Sequence, residues 1–132
     1  KTKSDWVQQL FIDDREDHLK KIILPAIKEG KIVICDRYSL SSIAYATDQR
    51  FVESLNAGFP TPTIVFVLDI PIKVAISRIM RRDGAFENEK ELRRAGKNYK
   101  RAKNVIHIDA QGKEAAVHKK IVEKLRKKLL VF

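Results

Sequence analysis

The sequence predicts an α/β fold, a parallel sheet covered by helices on both faces. Apolar, β-branched runs at 32–35, 63–70 and 105–109 have the length of buried strands. The segments between them carry helical periodicity. Strands that alternate with helices pair in parallel, because each return crossing is a helix laid over the sheet.

Each element has its own local cause. Ser4 or Asp5 is placed to cap a helix reaching about Glu29, with Gly30 as its stop and Pro25 as a kink or split. Strand 31–36 follows, then a helix from Ser39 to about Thr47 and a second helical stretch around Phe51 to Asn56. Gly58 and Pro60-Thr61-Pro62 mark a turn before strand 63–70. Pro71, with its fixed φ, suits the first turn of a helix to about Arg82, which Asp83-Gly84 breaks. Glu87 to about Ala102 reads as a helix despite Gly96. After strand 105–109, Gly112 or Lys113 opens the final helix.

At 132 residues and 44% apolar content, this is one domain or part of one. The single cysteine, Cys35, reads as a small buried hydrophobe within a strand and excludes a disulfide framework. No apolar stretch reaches membrane-spanning length and no signal peptide is visible, so a reducing cytoplasm is the default location. The net charge of +10 is uneven: residues 1–70 carry 9 Lys/Arg against 10 Asp/Glu, and residues 71–132 carry 18 against 7. A basic half calls for an anionic partner. No nucleic-acid motif occurs and there is little aromatic interleaving, whereas a polyphosphate would use arginines such as Arg78, Arg81 and Arg82. The run from Lys119 to Lys128, with Ile121, Val122, Leu125, Leu129 and Leu130, reads as the solvated face of an amphipathic helix.

Strand 31–36 ends on Asp36-Arg37-Tyr38. In open α/β sheets, ligands bind at the carboxyl ends of strands. There an Asp can hold a hydrated metal ion and an Arg can clamp a phosphate; a strand-end salt bridge is the plainer alternative. Phe11 and Arg15 lie four apart on one helix face. They can grip a flat heterocycle, one by stacking and the other by donating to a ring carbonyl, although Phe at this spacing is also a common core residue. Ser41 and Tyr45 repeat the spacing on the next helix.

Asp36-Arg37-Tyr38, followed by x-x-Ser41-x-x-Ala44-Tyr45, resembles the signature of thymidylate kinases, which phosphorylate dTMP. Leu10-Phe11-x-x-x-Arg15, Ile23-Leu24-Pro25-Ala26-Ile27 with Gly30, Val67-Leu68-Asp69-Ile70-Pro71 and Ile108-Asp109-Ala110 are similar to the same family. They occur in its order from about Leu10 to about Lys124. The resemblance implies a P-loop kinase-like three-layer α/β/α sandwich. It implies transfer of the ATP γ-phosphate to dTMP, giving dTDP for dTTP synthesis, with Mg²⁺, in a homodimer without nucleic-acid or membrane partners. It places Phe11 and Arg15 on the thymine, and Ser41, Ser42 and Tyr45 at base and sugar. Tyr45 lies by the sugar 2′ carbon and disfavours a hydroxyl there. Arg37 holds the monophosphate and neutralises charge as the phosphoryl group moves. Asp36 orders Mg²⁺, through water. Arg78 packs on the ATP adenine, Ala110 and Gln111 lie beside it, and Arg81 and Arg82 open a mobile lid, with solvated helix charges as the alternative for Arg81. His18, His107 and His118 receive no role.

Two departures stand out. Gly84 and Ala85 precede Phe86-Glu87 where many members carry an Arg. No G-x-x-x-x-G-K-[ST] occurs, so the first strand and the P-loop are absent from this chain. The expectation is part of a longer polypeptide, inactive in phosphate transfer by itself, with a catalytically inactive nucleotide-binding paralogue as the rival. In the resembled fold the strand entering the P-loop lies between strands 31–36 and 63–70, so both are expected to lack a neighbour on their inner edges. A deoxynucleoside kinase would usually carry Glu where Asp36 stands, and a nucleic-acid-binding module rests on charge alone.

Overall fold

The structure, a computed structural model, describes residues 3–83 and 89–130. The chain divides into two compact units, Lys1–Thr61 and Pro62–Phe132.

The first unit is helical. α1 (Lys3–His18) runs through a wider turn, Leu19–Ile23, into α2 (Leu24–Lys28). Ser4 and Asp5 therefore lie inside the helix, which has already begun at Lys3. Pro25 has no N–H for the Lys21 carbonyl, and its ring would crowd that group. The preceding turn opens to accept this: Leu24 N–H donates to the Leu19 carbonyl, five residues back. Gly30 ends the helix as predicted. Its φ of 74° lets Lys31 N–H reach the Ala26 carbonyl at 3.0 Å and Gly30 N–H the Ile27 carbonyl at 2.9 Å.

The predicted strand 31–36 is not a strand. Residues 31–35 have no regular structure and join no ladder among the described residues. Ile32 and Ile34 are 91% and 92% exposed. β-branching favours a pleated surface but cannot replace the neighbour whose N–H and C=O groups complete one. Cys35 is accordingly an exposed free thiol, not a buried hydrophobe.

α3 (Ser39–Tyr45) ends two residues earlier than the sequence predicts, with Ala46 already extended. α4 (Gln49–Asn56) starts two residues earlier, because the Asp48 carboxylate accepts the Phe51 N–H at 3.0 Å and caps it. α1, α3 and α4 pack on one another. Ile12, Ala46 and Val52 form the core between them, with Ile43, Phe51, Leu55 and Phe59 against it. Val52 and Asn56, four apart, share the buried face of α4.

The second unit holds a parallel pair, β1 (Phe66–Asp69) and β2 (Ile106–Asp109), with Phe66 opposite Ile106 and Asp69 opposite Asp109. β1 is shorter than the predicted 63–70, and its one ladder among the described residues is with β2. α5 (Ile72–Asp83) starts from the Pro71 carbonyl, which accepts the Val74 and Ala75 N–H groups at 2.9 and 3.1 Å. α6 (Glu89–Arg101) packs on α5, and α7 (Glu114–Leu129) packs on β2. Ile121, Val122 and Leu125 are half-buried while the lysines around them are exposed, as expected of an amphipathic face, but Leu129 and Leu130, expected on the same face, are exposed at the helix end.

Candidate functional site

The sharpest polar arrangement is in the first unit and centres on Arg15. Helix α1 turns Ile12 inward and the wider turn after it buries Leu19 and Ile23; Arg15 lies half-buried between them in sequence. One Arg15 Nη donates to Asn56 Oδ1 at 2.8 Å, and the other to Ser42 Oγ at 3.0 Å. The guanidinium carbon stands 5.1 Å from the Tyr38 ring centre and 6.0 Å from that of Phe59, both within cation–π reach. Burial, the largest influence, pulls the Arg15 pKa below its ordinary value, and Tyr38, Asp14 and Cys35 pull it the other way. An arginine keeps its charge through such a shift. The Tyr38 phenol is pushed up, chiefly by burial, and donates to the Pro60 carbonyl at 3.3 Å.

A second cluster adjoins it on α3. Arg37 Nε donates to Ser41 Oγ at 2.7 Å, and its guanidinium carbon lies 5.1 Å from the Tyr45 ring centre. The φ of Arg37 is 67°, a left-handed conformation that costs a non-glycine residue about 1–2 kcal/mol. That backbone turn sends Arg37 towards Ser41 and Tyr45 and not to Asp36, so the salt-bridge alternative is not formed. Asp36 is exposed at the same bend.

The predicted residues thus separate. Arg15 joins Ser42, and Arg37 joins Ser41 and Tyr45. Phe11 is 56% exposed, one turn before Arg15, while the rings facing the guanidinium belong to Tyr38 and Phe59. Sequence reasoning missed Asn56, because an Asn before Ala57-Gly58 at a helix end reads as a stop signal. The available signal was its place four residues after Val52, on a face where a polar side chain needs a partner.

In the second unit, the Arg78 guanidinium donates to the Ala110 carbonyl at 3.4 and 3.5 Å and to the Gln111 carbonyl at 3.4 Å. Asp109 shapes that loop, accepting the Gln111 N–H at 3.1 Å and a bond from Lys120 at 3.2 Å. These bonds, the Gln111 N–H first, hold its carboxyl below the usual range. His107, given no role from sequence, meets Asp69 across the strands at 2.7 Å. Arg81 and Arg82 lie in the last turn of α5 with side chains outside the described residues, as are Gly84, Ala85, Phe86 and Glu87 of the lid segment.

The Thymidylate kinase family model matches residues 1–121. The chain belongs to the thymidylate kinase family. It is 36% identical over 132 residues to the "Probable thymidylate kinase" of Pyrococcus abyssi, covering 92% of this chain and 64% of that protein. It is 34% identical over 127 residues to the "Thymidylate kinase" of Brachyspira hyodysenteriae, covering 89% and 63%. Against the "Thymidylate kinase" of Wolbachia pipientis wMel it is 46% identical over 76 residues, covering 52% and 39%. The chain spans less than two thirds of the length of each of these relatives. Family membership brings with it the P-loop kinase fold, of which the parallel β1–β2 pair and its helices form a part.

Proposed function

We propose that this chain carries the dTMP site of an ATP-dependent kinase that forms dTDP. The observation that carries the reading is the fixed, half-buried Arg15. Two of its five donors are tied to Asn56 and Ser42, and the rest stay available to a planar ligand's carbonyl. A guanidinium held between polar side chains and rings suits an uncharged heterocycle better than a freely solvated phosphate.

Arg37 then takes the monophosphate, with Ser41 and Tyr45 setting its direction. No strong base is required, because the acceptor phosphate is itself an anionic nucleophile; positioning and charge neutralisation carry the reaction. Asp36 offers a single exposed carboxylate. That donor set fits Mg²⁺, which keeps much of its water and binds through one or two carboxylates plus substrate phosphates. Bound there, the ion would neutralise phosphate charge. Arg78 with Ala110 and Gln111 would receive the adenine of ATP, and Arg82 would come to its phosphates with the lid. A cytoplasmic homodimer completes the reading; no described helix is long and apolar enough to cross a membrane.

A nucleotide thermal-shift panel on the full-length gene product tests it. The melting temperature should rise with dTMP and stay unchanged with dCMP, dGMP and CMP. An equal rise with all four would remove the thymine assignment.

A further inference from the structure

We propose that Asn56 is the positioning residue that sets thymine recognition by holding the Arg15 guanidinium in a neutral grip; the inference rests on the base-site reading above. Asn56 is 8% exposed on the inward face of α4. Its Nδ2 donates to the Val52 carbonyl at 2.7 Å, one helical turn back. That bond fixes which way the amide faces, so the atom presented to Arg15 is the acceptor Oδ1, at 2.8 Å. Ser42 Oγ takes the other Nη at 3.0 Å. The guanidinium is therefore held at two points, from α3 and from α4, while its own stem comes from α1.

The chemistry of the grip matters as much as its geometry. Arginine is a long, rotamer-rich side chain, and a ligand that had to order it would lose affinity to that ordering. Asn56 and Ser42 order it beforehand. Both are uncharged acceptors, so the guanidinium keeps its full charge for a ligand carbonyl. A carboxylate at position 56 would still accept from it but would neutralise it, competing with the ligand, and would have no N–H for the Val52 carbonyl. Tyr38 and Phe59 add ring faces and likewise no opposing charge. The Asn56 Oδ1 is engaged by Arg15 and its Nδ2 by the Val52 carbonyl, so its influence on a ligand runs through Arg15.

The test is a double-mutant cycle read by calorimetric titration of dTMP into the full-length gene product, with melting temperatures recorded for each variant. Asn56→Ala should weaken dTMP binding about tenfold, the loss of one charge-assisted hydrogen bond. In an Arg15→Ala background the same change should have no further effect, because its route to the ligand is gone. The isosteric Asn56→Asp keeps an acceptor of the same size and should also weaken dTMP, through neutralisation of the guanidinium and loss of the N–H given to the Val52 carbonyl. Unchanged affinity in Asn56→Ala overturns the proposal. So does an equal loss in both backgrounds, the signature of a general structural role, and so does tighter or unchanged binding by Asn56→Asp. Arg15→Ala binding dTMP as wild type would instead overturn the base-site reading itself, and the proposal with it.

Discussion

Arg15 and Arg78 are both helix-borne arginines, and they are held in opposite ways. Arg15 is half-buried, gripped by side-chain oxygens at 2.8 and 3.0 Å and faced by two rings. Arg78 has loop carbonyls as partners, at 3.4–3.5 Å, where a hydrogen bond is weak. The first arrangement is ordered before any ligand arrives. The second is loose enough to yield to one. A site that must tell thymine from other bases gains from a donor with one fixed direction. A site that stacks on an adenine needs a flat cation and little else. The contrast matches the division of labour proposed for the two units.

Arg37 carries the largest expected effect, and it sharpens the contrast by separating activity from stability. Arg37→Gly removes the guanidinium and the left-handed backbone penalty together. Phosphate transfer by the full-length gene product should fall about 10³-fold, the scale of losing an arginine that stabilises the transition state. The melting temperature should stay level or rise. A fall in both would return Arg37 to a structural role.

Tyr45 comes next. If its ring guards the sugar 2′ position, Tyr45→Ala should lower the kcat/KM preference for dTMP over its ribose counterpart about tenfold, measured with both acceptors. An unchanged preference would leave Tyr45 as support for Arg37 only.

Arg78→Ala bears on the looser half. Its weak bonds predict only about a threefold rise in KM for ATP, at the level of exposed charge contacts, with KM for dTMP unchanged. A hundredfold rise would mean that Arg78 binds its ligand as firmly as Arg15 does.

The smallest effect is a pH response in the loop that Arg78 touches. The Asp109 carboxyl is depressed by the Gln111 N–H first and by Lys120 next. A depressed carboxyl contributes stability that is present above its unfolded value and lost as pH falls through the folded one. The Gln111 amide resonance should therefore hold steady down to about pH 4 and shift below it. A shift centred near neutrality would point to another group.

The helices were legible because their signals are local. Gly30 sits where a left-handed residue is needed, and Pro71 stands where a helix can begin. The strands were legible only in part. Runs 31–36 and 63–70 look alike as sequence, yet one has a neighbour and becomes β1 while the other joins no ladder and leaves Ile32 and Ile34 exposed. Pairing is a property of two segments, and periodicity describes one. The same limit applies to the site. Spacing within one helix brought out Phe11 with Arg15 and Ser41 with Tyr45, but Asn56 lies 41 positions from the Arg15 it holds. Only the packing of α1 on α4 brings them together.

Calorimetric titration of dTMP into wild type and Arg15→Ala addresses the thymine site itself. Removing the charged donor should weaken binding about ten- to a hundredfold, the loss of roughly 1.5–3 kcal/mol from a hydrogen bond to a charged group. The melting temperature of the variant, recorded alongside, shows that the unit is still folded. Equal affinity for dTMP in a folded Arg15→Ala protein would mean that thymine is not read at Arg15.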